Sequence, residues 1–265
     1  GRGSARDLRS GGGGRAARKV IETARRRLGE RVGAAPGEIV FTSGGTEANA
    51  LAIHGLGAGR RLLVGATEHA AVRAAGEGAI LPVRADGTLD LDVLAASLAE
   101  SGPALVCVMA ANNETGVLHP LAEVAALCRA HGALLHVDAV QSAGRLGVDA
   151  RTMGAASIAI SAHKLGGVAG AGALILAPGL HLPPLIAGGG QERGRRGGTE
   201  PLPAIAAFGA ALAETYDAAR LTRLRDAIET GLARLDAGII IAGSGAPRLP
   251  NTSLAILPGV AAETQ

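Results

Sequence analysis

The chain has 265 residues, 48% of them apolar but only 1% aromatic, with no tryptophan and a formal net charge of +3. That content can bury one large domain, or one large domain and part of a second. A core of Ala, Val, Leu and Ile packed against Gly suits an α/β architecture better than an aromatic-rich β-sandwich. The charge is too mild and the aromatics too few for nucleic acid, and no apolar run reaches membrane-spanning length.

In chain order, residues 1–14 are mostly Gly, Arg and Ser and end in four consecutive glycines, so they read as a disordered or non-native segment. A helical pattern follows from Arg15 to about Val32. A strand-like run at 38–43 meets a glycine turn and a helix start at Thr46 and Glu47. Further strand-like runs cover 62–66, 79–83, 104–110, 133–138, 156–161 and 173–177, with helical segments at 91–100 and 119–130 among them. Seven short apolar strands alternating with helices predict an α/β fold, a mostly parallel seven-stranded sheet flanked by helices on both faces. A long helix or helix pair is expected over 201–235. Two further strand-like pieces, 239–242 and 252–257, begin part of a smaller α+β domain. The expected division is 15–215 for the large domain and 216–265 for an incomplete small one.

Cys107 and Cys128 sit in apolar stretches without metal-like spacing, and read as buried structural thiols. No metal site is expected. No secretory apolar segment opens the chain, so a cytoplasmic location is expected.

Of the 26 basic residues, Lys19 and Lys164 are the two lysines. Lys19 lies in an arginine-rich helical segment, whereas Lys164 follows an apolar run and precedes Gly166 and Gly167. An amine can lose its proton and form a Schiff base, which a guanidinium cannot, so Lys164 marks chemistry rather than surface charge.

Ligands of parallel sheets collect at the carboxyl ends of strands, and the polar residues cluster there. Thr42-Ser43-Gly44-Gly45-Thr46-Glu47-Ala48-Asn49 joins a strand to a helix start that could hold an anion or be an ordinary cap. It is neither a P-loop nor a dinucleotide fingerprint. Thr67-Glu68-His69 and Asn112-Asn113-Glu114-Thr115-Gly116 follow two other strands, and each alone could be a polar turn. His136-Val137-Asp138-Ala139-Val140-Gln141 ends a strand expected to be buried, where the Asp138 carboxylate needs a partner. Ser161-Ala162-His163-Lys164 ends the next. An acid, an amide, a hydroxyl, an imidazole and an amine facing one pocket fit pyridoxal phosphate.

Together with the loop from Gly188 to Thr199 and with Pro250-Asn251-Thr252, these motifs resemble cysteine desulfurases of the class V aminotransferase group, over about residues 15–265. The resemblance implies the aspartate-aminotransferase-type fold (PLP fold type I) and conversion of L-cysteine to L-alanine. It implies that Lys164 carries the cofactor and shuttles the α-proton, while Asp138 keeps the pyridine nitrogen protonated. Gln141 would bond the ring hydroxyl, and His69 would stack on the ring and exchange a proton. Gly45, Thr46, Ser161 and His163 would hold the phosphate, and Asn113 would sit near the ring oxygen and the substrate carboxylate. Thr199 would reach the phosphate of a partner subunit, so a homodimer is implied. A sulfur-acceptor or iron–sulfur scaffold protein is a further implied partner.

The chain departs from the family pattern at both ends. The cysteine loop that receives sulfur and the arginine that clamps the substrate carboxylate belong beyond residue 265, and the short N-terminal strand is missing. The expectation is a protein truncated at both ends that binds cofactor but does not complete sulfur transfer. Selenocysteine lyase, a transaminase of the same group, and a non-catalytic scaffold are the alternatives.

Overall fold

The computed structural model describes residues 12–214 and 216–260. The elements are α1 (Gly12–Val32), β1 (Ile39–Thr42), α2 (Gly45–Gly57), β2 (Arg61–Gly65), α3 (Ala70–Arg73), β3 (Ala79–Leu81), α4 (Leu91–Ala99) and β4 (Ala104–Met109). They continue with α5 (Leu121–Ala130), β5 (Leu134–Asp138), β6 (Ser157–Ser161), β7 (Gly172–Leu176), α6 (Leu202–Ala211), α7 (Ala218–Leu235), β8 (Ile240–Ile241) and β9 (Ala255–Ile256).

Seven strands form one sheet in the order β1-β7-β6-β5-β4-β2-β3. β7 pairs antiparallel with both of its neighbours, and every other pairing is parallel. β7 is therefore the one reversed strand, and β1, β2, β4, β5 and β6 all end on the same edge of the sheet. That shared edge gathers the polar residues.

The continuous apolar runs exist because both sheet faces are covered. Along β4, Val106 and Val108 pack with residues of α1, α4, α5 and α6, whereas Leu105 and Cys107 pack with α2 and α3 on the other face. Leu28, Leu94, Val124 and Phe208 belong to the first cluster and Leu51, Ile53 and Val72 to the second. The two phenylalanines meet edge to face, with Phe41 and Phe208 centroids 6.3 Å apart and the Arg25 guanidinium 4.7 Å above the Phe41 ring.

All seven expected sheet strands are present, most a residue or two shorter than their apolar runs. The 201–235 segment is a helix pair, and β8 and β9 form a two-stranded antiparallel sheet. One expectation is corrected. Helix α1 begins at Gly12, so Gly12–Gly14 are helical rather than unstructured; the packing of Ala24, Leu28 and Val32 propagates a helix through residues of poor propensity. The rest of the 1–14 segment lies outside the described residues. The β8/β9 unit is tied to the large sheet through residues 247–249: Leu118 N–H donates to Pro247 O at 2.8 Å and Leu249 N–H to Gly116 O at 2.8 Å. Among the described residues, no helix is long and apolar enough to cross a membrane.

Edge strand β1 is covered by side chains instead of a further strand. Glu192 accepts from Phe41 N–H at 2.8 Å, while Ile39 O accepts from Arg25 at 2.9 Å and Arg195 at 3.0 Å. Glu192 and Arg25 form a bidentate pair at 2.8 and 2.7 Å. This fixes the glycine-rich loop of residues 188–198 with Glu192 (φ 45°) and Arg193 (φ 59°) in the left-handed region.

Candidate active site

A cavity of about 320 Å³ opens at the carboxyl edge of the sheet, within the ~300–1,000 Å³ range of small-molecule sites. Its lining includes Gly45, Thr46, His69, Asn113, Asp138, Gln141, Ser161, His163 and Lys164. Every expected site residue is therefore brought together except Thr199, which is exposed and does not line the cavity. Asn49, Ala71, Met109 and Val140 complete the wall. A second, largely apolar cavity of about 40 Å³, beside Leu28, Val32, Ala143 and Leu165, has room for little more than water.

Each lining residue is set by its element. Helix α2 starts at the end of β1 without a side-chain cap, so its first N–H groups are left for a ligand at the positive end of the helix. Gly45 lets the helix start pack against Val140: a Cβ there would lie 2.6 Å from Val140 Cγ2. Glu47, in the same turn, accepts from Ser43 N–H at 2.7 Å and pairs with Arg196 at 2.8 and 3.2 Å. That pair ties the helix start to the glycine-rich loop. Ser161 ends β6 and bonds His163 Nδ1 at 2.9 Å.

Lys164 lies in the single 3₁₀ turn after β6 (Ala162–Leu165), closed by Gly166 at φ 86°. Among the described residues its amine has no hydrogen-bond or ion-pair partner. His69 caps α3, accepting from Ala71 N–H through Nδ1 at 3.0 Å, so its ring proton belongs on Nε2. Asn112, beneath Asn113, shapes that turn by accepting from the N–H groups of Glu114 and Thr115 at 3.0 and 2.9 Å.

Asp138 is buried at the end of β5. Burial raises its pKa, opposed by hydrogen bonds from Val140 N–H at 2.9 Å and the Asn49 amide at 2.7 Å and by the nearby His69. A buried carboxylate with two donors and a cavity before it calls for a cation there.

Besides Asn49, two neighbours were missed by sequence reasoning. Glu68 is buried, with Oε1 accepting from Met109 N–H where β4 has outrun β2, and with no partner at Oε2 among the described residues. Burial, with the charge of Asp138 adding to it, raises its pKa to about 8. His136 is fully buried and its pKa falls to about 4 through burial. The signal for His136 was available: it stands two residues before Asp138, on the same strand face.

Cys107 and Cys128 are both buried, as expected. Burial pushes the Cys128 thiol up to about 11 and the Cys107 thiol well above its ordinary value, with Glu68 adding to the latter. Among the described residues there is no cluster of His, Cys, Asp or Glu able to hold a metal.

Comparison with known proteins agrees with the architecture. The chain is 42% identical to a cysteine desulfurase of Cereibacter sphaeroides, over 91% of this chain and 66% of that protein. It is 38% identical to cysteine desulfurase IscS 1 of Archaeoglobus fulgidus, over 89% of this chain and 65% of that protein. It thus spans just under two thirds of the length of these relatives. The structure of a NifS-like protein from Rickettsia africae superimposes with a TM-score of 0.91 at 32% identity, covering 99% of this chain and 75% of that one. DndA from Streptomyces lividans superimposes with a TM-score of 0.78 at 31% identity, covering 94% of this chain and 74% of that one. The family model for aminotransferase class V matches residues 9–239. The chain belongs to the class V aminotransferase family.

Proposed function

We propose that this protein binds pyridoxal phosphate in the sheet-edge cavity and acts as a cysteine desulfurase, taking L-cysteine to L-alanine and passing the sulfur to a thiol. The observation that carries this reading is one cavity holding an unpartnered amine, a buried carboxylate and an uncapped helix start. Those three match an aldehyde, a basic ring nitrogen and a phosphate, so the residues fit the group. When bound, pyridoxal phosphate supplies an aldehyde for amines and a ring that withdraws electrons from the substrate α-carbon.

The chain's residues do the rest. Lys164 Nζ would hold the aldehyde group and serve as the base that moves the substrate α-proton. The Asp138 carboxylate accepts the ring N–H and so keeps the ring cationic. Gln141 bonds the ring hydroxyl, and Asn113, at the cavity mouth, serves the ring oxygen and the substrate carboxylate. His69 covers the ring face, with its Nε2 proton available to donate. The N–H groups of Gly45 and Thr46, with Ser161 and His163, hold the phosphate. The sulfur acceptor is neither Cys107 nor Cys128, because both are buried with thiols held protonated.

Thr199 serves the phosphate of a second subunit in a cytoplasmic homodimer. Residues 15–215 belong to the cofactor domain and residues 216–265 to a smaller one. The IscS names of several relatives support a role in supplying sulfur to an iron–sulfur scaffold or another acceptor protein.

Incubation with pyridoxal phosphate tests the reading. The parent is expected to turn yellow and, after borohydride, to carry the cofactor mass on the peptide containing Lys164. The Lys164→Ala protein is expected to stay colourless. Two colourless proteins, or a reduced adduct elsewhere than Lys164, would refute it.

A further inference from the structure

Behind Asp138 a chain of buried polar groups runs across three elements. Asn49 Nδ2 on α2 lies 2.7 Å from Asp138 Oδ2, Asn49 Oδ1 lies 2.9 Å from His136 Nε2, and His136 Nδ1 lies 2.8 Å from Ser157 Oγ on β6. Asn49, His136, Asp138 and Ser157 are all buried. His136 and Asp138 share the strand face covered by α2, and His136 is in register with Ser157.

We propose that Ser157, His136 and Asn49 form a directional hydrogen-bond relay whose role is to hold Asp138 as an ionised acceptor facing the cavity. They are positioning residues, which act through Asp138. The inference rests on the cofactor reading for what Asp138 faces, but the relay itself is a property of the chain.

The direction follows from the donor and acceptor inventory. An ionised Asp138 can only accept, so Asn49 presents its NH₂ to Oδ2 and its carbonyl oxygen to His136. That oxygen needs a donor, which puts the imidazole proton on Nε2. Burial keeps His136 neutral, with its pKa near 4. Its Nδ1 is then an acceptor, and the Ser157 hydroxyl donates a hydrogen bond to it. Every dipole points towards Asp138. The reverse polarity, with a protonated Asp138, would need Asn49 flipped and the imidazole proton on Nδ1. Together with Val140 N–H, the relay opposes the burial that favours the neutral acid.

Two other titratable groups, Glu68 and His69, interact electrostatically with Asp138, and His163 and Lys164 line the same cavity. None is altered in the test. The full chain is labelled with aspartate carrying ¹³C at the carboxyl, and the Asp138 signal is assigned by its loss in Asp138→Asn. Its titration is followed without cofactor in the parent, in His136→Phe and in His136→Gln. Phe removes the Nε2 donor, whereas the Gln amide replaces it. The expected result is a rise in the Asp138 pKa by about one unit or more in His136→Phe, with most of that rise abolished in His136→Gln. Equal pKa values in parent and His136→Phe, or equal shifts in Phe and Gln, would overturn the relay.

A second readout covers a His136→Phe protein that does not fold. Asn49→Ser and Ser157→Ala each shorten the chain and are expected to raise the Asp138 pKa, Asn49→Ser more. No shift in either overturns the proposal. Loading the same proteins with pyridoxal phosphate separates the two readings. A shifted Asp138 in the variants, beside a parent that never turns yellow, refutes the cofactor reading and leaves the relay standing.

Discussion

Replacing Glu192 with alanine is expected to cost the fold about 3 kcal/mol. The Glu192 side chain is 1% exposed and the Arg25 side chain 6%, so the variant leaves a guanidinium in the interior. It also strips Phe41 N–H of its acceptor. Removing one member of a buried ion pair costs roughly 3–5 kcal/mol. Two features reduce the loss. Arg25 keeps its bond to Ile39 O and its contact with Glu22 at 3.3 Å, and Glu22 is half exposed. The left-handed backbone at Glu192 and Arg193, which costs ~1–2 kcal/mol per non-glycine residue, can also relax. About 3 kcal/mol is a large share of the ~5–15 kcal/mol that stabilises a typical fold. Urea unfolding at neutral pH, followed by circular dichroism, measures it as a lower midpoint with unchanged slope. The double variant Arg25→Met/Glu192→Leu removes both charges and is expected to be more stable than Glu192→Ala. A loss below about 1 kcal/mol in Glu192→Ala, or strict additivity in a cycle of Arg25→Met and Glu192→Leu, would refute the view that the pair acts as a unit.

Two further predictions concern groups near the cavity. Glu68, with a folded pKa of about 8, binds its proton more tightly folded than unfolded, where a glutamate titrates near ~4.3. Its contribution is therefore full below the unfolded value and is lost as pH rises to about 8, so Glu68→Gln should gain stability relative to the parent across that window. A pH-independent difference between the two unfolding curves would contradict this. Cys107 and Cys128, buried with raised thiol pKa values, should resist an aromatic disulfide reagent in the native protein and react fully in denaturant. Rapid labelling of either before unfolding would show that a thiol is within reach of the solvent.

The sheet was readable because its strands are apolar on both faces and punctuated by glycine and polar turns. That pattern does not encode direction. The reversal of β7 depends on how β6 and β1 flank it, not on its own apolar run. The cavity residues were readable because most follow strand ends, where a parallel sheet puts its ligands. Asn49, one helical turn beyond Thr46, and Glu68, beside His69, looked like ordinary helix and turn residues until α2 and β4 were packed against Asp138. Arg25 and Glu192 stand 167 positions apart in the chain, and no local signal links them. The helical start at Gly12 was hidden for the opposite reason: glycine propensity argued against a helix that tertiary packing extends.

The side chains laid along β1 also decide how copies of this chain can meet. A sheet edge with free amides and carbonyls invites another strand and can drive uncontrolled polymerisation. Here the outward Phe41 N–H and Ile39 O are already taken by Glu192, Arg25 and Arg195. An incoming strand at this edge would first have to break a buried ion pair. Self-association by continuing the sheet past β1 is thus disfavoured, and assembly is directed to other surfaces.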